Sequence, residues 1–469
     1  MNSTIRLLLE ILSFLLLSFT VHAQVKLSGV VNDQDGNPLP GANVVLVETY
    51  LVDVSGIDGT FEFNNLSRHE YQLKISYIGY ENKELSFALA NDTSIVVTLE
   101  FSPVTTQEFT VIGTRADRKM PIVFSTVSNL QIKSENVGQD MPALLSQSPS
   151  VTYHSDAGAG VGYTYMRLRG ADQTSINVTV NGIPANDAES QQVFWVDMPD
   201  LASSTENIQI QRGVGTSTNG VGAFGGAVNL LTDDMKTEAY GSINLAAGSF
   251  NTFKGTLKIG SGIIDNHWAF NGRLSYITSD GYMDRSGANL LSYYTSVGYT
   301  SAKTTFRLIL FGGKEITNQA WNGVPSVRLE NDEQGMLDYA AASGWGPVHT
   351  ENLLNSDRRY NYYTWKDEVD NYSQFNNQLL FTRELNRFFA LNVSLHYTKG
   401  NGYFEQYQYA ENAFDDNQFE FYGLDNPVIG NDTITTSDFI RRRWLDNDFY
   451  GFVASLNYKK SHWNVWLGG

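Results

Sequence analysis

From Glu238 onward the chain keeps returning to one pattern, in which apolar and polar residues alternate with a period of two. Ala239, Gly241, Ile243, Leu245 and Ala247 alternate with Tyr240, Ser242 and Asn244. Phe253, Gly255, Leu257 and Ile259 alternate with Lys254, Thr256 and Lys258, and Trp268, Phe270, Gly272, Leu274 and Tyr276 with Asn271, Arg273 and Ser275. Phe389, Leu391, Val393, Leu395 and Tyr397 repeat the pattern, as do Tyr450, Phe452, Ala454, Leu456 and Tyr458. Successive side chains of a strand point to opposite faces, so each segment predicts a strand with one apolar face. Less regular strands are expected near residues 293–299, 306–312 and 375–381. A soluble sandwich also alternates. Here many strands end in aromatics, as membrane girdles require. Short links near 262–267, 301–304, 384–387 and 459–462 alternate with longer ones at 278–290, 313–372 and 399–447, the first outer link (248–251) being short. That rhythm favours lipid on the apolar face. Barrels of this kind close with an even number of strands, the large ones with about 22. About nine strands are legible, so the sequence is expected to be a fragment that lacks more than half of its barrel.

Composition narrows the class. The 469 residues contain no Cys, which excludes disulfides and thiolate metal sites. A formal charge of −18 argues against a nucleic-acid partner. The 25 Tyr, 26 Phe, 8 Trp and 41 Gly suit a barrel with aromatic girdles as well as a large secreted β-protein. The first residues read as a secretory signal, residues 1–23: basic Arg6, an apolar run from Leu7 to Phe19 interrupted by Glu10, and Val21-His22-Ala23 before Gln24. Cleavage is expected near Ala23.

Residues 24–101 are expected to form a small β-sandwich. Its strands fall at 25–31, 42–47, 60–63, 71–77 and 94–99, separated by Asp35-Gly36-Asn37-Pro38, Asp58-Gly59 and Ile78-Gly79-Tyr80. Asp33-Gln34-Asp35-Gly36-Asn37 begins like a calcium loop, but Val44 stands where the closing Glu would be, so a turn is expected. The strings Ser28-Gly29-Val30-Val31-Asn32-Asp33, Gly36-Asn37-Pro38-Leu39-Pro40-Gly41-Ala42 and Gly56-Ile57-Asp58-Gly59-Thr60-Phe61 resemble the carboxypeptidase-regulatory-like domain, a transthyretin-like fold. The resemblance implies no peptidase activity.

Residues 102–118 read as a linker and 119–232 as a compact α+β domain, with one helix over 138–147 anchored by Leu144 and Leu145 and ended at Ser148-Pro149. Two glycine-rich stretches mark this domain. The first is Arg167-Leu168-Arg169-Gly170, followed by Val180-Asn181-Gly182-Ile183-Pro184. The second is Ile210-Gln211-Arg212-Gly213, running on to Gly225-Gly226-Ala227-Val228-Asn229. Asn181-Gly182 predicts a hairpin turn with positive φ. Gly220-Val221-Gly222-Ala223-Phe224-Gly225 matches G-x-G-x-x-G, yet a β-rich run follows it rather than a helix, which argues against a nucleotide site.

These motifs, between a signal sequence and an alternating wall, resemble the TonB-dependent outer-membrane receptors with an N-terminal regulatory-like sandwich that are common in Bacteroidetes. The resemblance runs from Lys26 to the end. It implies a mainly β protein: the sandwich, an α+β plug domain, and from residue 233 to 469 the first strands of an antiparallel transmembrane barrel in the outer membrane, with sandwich and plug on the periplasmic side. It implies active uptake of a scarce ligand driven by the proton gradient through TonB, with no catalytic residue, metal or cofactor. Glu108, Phe109, Thr110, Val111 and Ile112 resemble the TonB box, which engages its partner by strand addition; a terminal strand of the sandwich is the other reading. In the family, arginines placed like Arg169 and Arg212 pair with barrel carboxylates; structural Arg-Gly turns are the alternative.

The substrate surface is expected on the outer side of the plug and in the outer loops: Tyr153, His154, Tyr163, Tyr165, Gln191, Gln192, Phe194, Trp195 and Trp321, with Trp345, Tyr360, Tyr362, Tyr363 and Trp365 nearby. Aromatic and amide side chains suit a ferric chelate or a sugar equally. Arg441-Arg442-Arg443 reads as a basic rim for an anionic ligand or as a solvated loop end. Polysaccharide importers of the family show a lysine-aspartate motif where this chain has Ile210-Gln211-Arg212-Gly213, which tilts the expectation to a ferric siderophore or other iron complex. An oligosaccharide importer and a non-transporting adhesin are the alternatives.

Overall fold

The computed structural model describes residues 25–34, 36–47, 49, 51–77, 80–100, 115–116, 121–214, 224–301, 303–386, 388–410, 417–460 and 463–468. The chain divides into two compact units, residues 1–105 and 106–469. The signal sequence, the TonB-box segment and the first part of the G-x-G-x-x-G string lie outside the described residues.

The first unit is a two-sheet sandwich. Its strands are β1 (Val25–Asn32), β2 (Asn43–Leu46), β3 (Val52–Val54), β4 (Thr60–Leu66), β5 (His69–Ser76), β6 (Lys83–Leu89) and β7 (Thr93–Thr98). One sheet has the order β4-β1-β7 and the other β3-β2-β5-β6. Strict alternation places Leu27, Val31, Phe61 and Phe63 of one sheet and Val44, Leu46, Leu73 and Ile75 of the other in a shared core. The sequence pattern gave no signal for β3, which is too short, or for β6, where Lys83 and Glu84 open the strand. The Asp33 carboxylate accepts from the backbone N–H and side-chain amide of Asn37 at 2.8 and 2.9 Å, which makes this segment a turn.

The second unit begins with the plug. It contains β8 (Val123–Ser128), helices Asn129–Glu135 and Met141–Leu145, β9 (Val151–Ser155), β10 (Thr164–Leu168), β11 (Ile176–Val180), β12 (Ile183–Pro184), β13 (Thr205–Arg212) and β14 (Gly226–Thr232). A five-stranded sheet runs β12-β11-β14-β13-β8, and β9 and β10 form a separate hairpin. The expected helix is the shorter Met141–Leu145, with Leu144 and Leu145 buried as anticipated. The helix Asn129–Glu135 was missed. Its signal is a capping box: Ser128 Oγ accepts from the N–H of Gln131, whose side chain accepts from the N–H of Ser128.

The wall follows: β15 (Tyr240–Ala247), β16 (Phe253–Ile264), β17 (Trp268–Ser279), β18 (Ala288–Ser301), β19 (Thr304–Asn318), β20 (Val369–Asn386), β21 (Phe389–Gln408), the small hairpin β22 (Val428–Ile429) and β23 (Asp432–Thr433), then β24 (Phe439–Lys460) and β25 (Trp463–Gly468). Nine of these form one antiparallel sheet in chain order, with only β22 and β23 outside it. Its faces are reversed relative to a soluble protein. On β17, Phe270 and Leu274 are 46% and 58% exposed while Arg273 between them is 3% exposed. On β16, Leu257 and Ile259 point out while Lys254, Thr256 and Lys258 point in. Apolar side chains turned outward and charged ones inward fit a sheet whose outer medium is lipid. Among the described residues no helix is long and apolar enough to cross a membrane.

The strands outrun the hydrophobic pattern. β21 has 20 residues and β24 has 22, about twice the 9–11 that a bilayer needs. The connections are correspondingly shorter than the sequence suggested, because segments such as Lys314 to Asn318 continue the ladder with polar residues on both faces. The longest connection, after β19, is not structureless. It holds helices Ser326–Leu329, Glu333–Ala342 and Pro347–Asn355 over a private core of Met336, Leu353 and Tyr360.

Candidate functional site: the plug and the cavity above it

The plug is keyed to the wall by buried polar contacts. Asp200, at the start of a short turn, receives the Nζ of Lys254 at 2.7 Å and faces Arg273 Nη1 at 3.4 Å. Thr256 and Ser275 hydroxyls donate to its other oxygen at 2.8 and 2.6 Å. Burial opposes the charge of Asp200, but Arg273 and Lys254 outweigh it and hold the carboxyl below the usual range. A second latch joins Lys258 Nζ to Asp233 at 2.6 Å. The hairpin tip adds a third contact. Asn181 and Gly182 take φ of 57° and 79°, the expected positive-φ turn. The Asn181 amide donates to Gln378 Oε1 of β20 at 2.9 Å and its oxygen accepts from the N–H of Thr232 at 3.0 Å.

Between plug and wall lies a cavity of about 410 Å³. The plug contributes Tyr163, Ala185, Asp187, Gln192, Phe194 and Asp197; the wall contributes Glu315, Asp370, Tyr372, Gln378, His396 and Asn447, among others. Tyr163 Oη donates to Asp370 Oδ2 at 2.5 Å. Burial, and then the charge of Asp370, push the Asp197 carboxyl up to about 8, against a hydrogen bond to Glu315 that lowers it. A second depression of about 460 Å³ is lined by Tyr153, His154, Tyr165 and Gln192 with Arg167 and Asp172. There Tyr165 Oη and His154 Nε2 reach the Asp156 carboxylate at 3.0 and 3.2 Å.

Residues 27–112 match the CarboxypepD_reg-like domain, and residues 116–227 match the TonB-dependent Receptor Plug Domain. The chain thus carries a plug domain of the TonB-dependent receptor type behind a regulatory-like sandwich. TonB-dependent receptor P39 of Formosa agariphila is 29% identical over 164 residues, 34% of this chain and 16% of that protein. TonB-dependent receptor SusC of Bacteroides thetaiotaomicron is 28% identical over 192 residues, 38% of this chain and 17% of that protein. The matched regions thus span under a fifth of these curated relatives. The ferric-catecholate import receptor Fiu from E. coli K12 has the same fold with a TM-score of 0.52 and 15% identity, over 74% of this chain and 48% of that one. TonB-dependent receptors are an outer-membrane family of receptors and transporters.

The structure separates the residues expected at a ligand surface. Tyr163, Gln192 and Phe194 line the cavity between plug and wall; Tyr153, His154, Tyr165 and Gln192 line the second depression. Gln191 is exposed beside the cavity rim, with its amide on Ala188 O at 2.9 Å. Trp195 is buried in the plug core. Trp321 packs edge-on against Tyr163, Tyr363 and Phe404. Tyr360 belongs to the core of the long loop, and Trp345 and Tyr362 pack against that core. Arg441 and Arg442 bond to Gln406 and Glu405 of the neighbouring strand.

The motif residues of the plug domain act in its own architecture. Arg212 donates to Pro149 O at 3.1 Å and Ser125 Oγ at 2.7 Å. Among the described residues, no ion pair joins Arg169 or Arg212 to a wall carboxylate; the buried pairs run from Asp200 of the plug, and from Asp233 just after it, to wall bases. Arg169 and Gly170 make a left-handed turn, as does Gly213. At Gly226 a Cβ would come within 2.3 Å of Leu168 Cδ2, so this close packing of β14 on β10 demands glycine, as that of the adjacent Gly225 on Ala171 does. The strand β14, and no helix, follows the G-x-G-x-x-G string, which removes the nucleotide reading. Sequence reasoning missed Asp197, Asp200, Glu315 and Asp370. The available signals were two aspartates three apart in an otherwise apolar stretch, and acids on the inward phase of strands.

Proposed function

We propose that this chain is the ligand-binding and gating part of an active importer in the outer membrane. A scarce solute binds in the cavity over the plug, and TonB, drawing on the proton gradient, pulls the plug to open a path. The observation that carries this reading is a folded plug held by buried latches against the polar face of a sheet whose other face is apolar. Coupling would enter through Glu108–Phe109–Thr110–Val111–Ile112 by strand addition. Just beyond that segment, the backbone N–H and C=O of Ala116 bond to the Gln209 side chain at 2.8 and 2.9 Å, so a pull on the linker reaches β13, an inner strand of the plug sheet. The leader would be removed near Ala23, leaving sandwich and plug on the periplasmic side.

For the solute we propose a ferric siderophore or other iron complex. Tyr163, Phe194 and Tyr372 give the cavity flat aromatic walls suited to a chelate. Deletion of residues 108–112 tests the transport reading: ligand binding should survive and uptake should stop. If both survive, the protein is a binding scaffold. Radiolabelled iron uptake by a deletion strain under iron limitation tests the solute, and undiminished uptake overturns it.

A further inference from the structure

The cavity over the plug is lined by acids that no Lys or Arg among the described lining residues faces. Asp197, Glu315 and Asp370 line it together, and among the described residues no Lys or Arg lines it and His396 is the one basic side chain there. Register brings two of these acids together. Glu315 pairs with Tyr372 and Asp370 with Thr317, so the carboxylates sit diagonally on one face of adjacent strands. Like charges so placed repel, and a buried carboxylate is costly unless it is paired. Several acids nearby have cations: Asp200 has Lys254 and Arg273, Asp233 has Lys258, and Asp448 has Lys399. Asp370 does not. Tyr163 satisfies its Oδ2, but its Oδ1 has no hydrogen-bond partner although the residue is only 4% exposed and faces the cavity. The rings of Tyr163 and Tyr372 stand in the same lining, and aromatic faces attract cations.

We propose that the receptor recognises its ligand through a protonated amine seated against Asp370, with Glu315 and Asp197 completing the acidic lining. The inference rests on the reading of the chain as an uptake receptor and narrows the ligand class: whatever its body, the solute carries a cationic nitrogen. An ammonium brings three donors to the open acceptor of Asp370 and to the neighbouring amide and hydroxyl oxygens. A bare metal ion fits less well, because among the described residues no three acidic or His side chains are spaced to hold one.

Three probes test this by calorimetric titration of the full chain in detergent. They are a ferric trihydroxamate with a pendant primary amine, the same chelate with that amine acetylated, and iron-free 1,5-diaminopentane. The amine chelate should bind at least about tenfold more tightly than its acetylated form, since acetylation removes a charge-assisted hydrogen bond in a dry site. Asp370→Asn should erase the difference, and Glu315→Gln should reduce it. Equal affinity of the two chelates on the unaltered protein overturns the amine inference and leaves the iron reading standing. Diamine binding that Asp370→Asn abolishes, with neither chelate bound, supports the amine inference and counts against iron. No binding of any amine probe overturns the inference. The chelate pair is compared on the unaltered protein, so a folding defect in either variant does not blunt the test.

Discussion

Asp200 of the plug and Lys254 of the wall meet at 2.7 Å with both side chains buried. The pair is a latch rather than a surface contact, because Arg273, Thr256 and Ser275 converge on the same carboxylate. Asp200 has a φ of 52°, a left-handed conformation that Asn also tolerates. Asp200→Asn therefore removes the charge without new backbone strain and strands two buried cations. The expected loss is about 3–5 kcal/mol, read as a lower melting temperature in detergent. Lys254→Met should cost less, since Arg273 remains to balance the acid. The folded carboxyl titrates below its unfolded value, so the latch contributes above that unfolded value and is lost as pH falls through the folded one. An Asp200→Asn protein that melts like the unaltered one would show that the latch carries no load.

Asp197 behaves in the opposite sense. Burial and Asp370 push its carboxyl up to about 8. Its contribution is therefore complete below the unfolded pKa and declines as pH rises through the folded one. Melting temperature should fall between about pH 5 and about pH 8 through this group, a window in which the Asp200 contribution is constant. Asp197→Asn should flatten the decline. A slope unchanged in the variant would assign the dependence to another group.

The wall was the most legible part of the sequence, and for a physical reason. A strand in lipid must show apolar side chains on every second residue, so Phe270, Leu274 and Tyr276 announce both the strand and its outward face. The plug was legible at its turns, because Asn181-Gly182 and Gly225-Gly226 meet backbone demands that few other residues can. Pairings distant in sequence were not legible. Nothing local in Asp200 or Asp370 says that Lys254 or Tyr163 will face it, and these contacts arise only when the plug is seated against the wall. The loop helices were hidden similarly: Glu333–Ala342 buries just Met336 and Ala340, too short a stripe to stand out in a polar stretch.

Leu274 offers a direct test of which solvent meets the wall. It is 58% exposed on the outer face of β17. In water an exposed Leu→Arg change would stay within about 0.5 kcal/mol. In a bilayer it should cost about 2–4 kcal/mol near the midplane. Leu274→Arg is thus expected to lower the yield of heat-resistant folded protein in membranes while leaving the plug sequence intact. Full recovery of folded protein would place this face in water.

Asn181 links two surfaces with one amide. It donates to Gln378 on the wall and accepts from the backbone of Thr232 within the plug, and Gln378 returns a bond to Val180 O at 3.3 Å. Asn181→Ala removes the donor and the acceptor together and leaves the buried N–H of Thr232 and the Gln378 amide short of partners. The expected cost is about 1–3 kcal/mol. Asn181→Asp keeps the left-handed turn and the acceptor but loses the donor to Gln378, so it should weaken docking while sparing the hairpin. Hydrogen exchange separates the two effects. Asn181→Ala should raise exchange at Thr232 and across β11 and β12, whereas Asn181→Asp should raise it mainly on β20 around Gln378. Equal protection of both segments in the two variants would mean that the hairpin tip does not tie the plug to the wall.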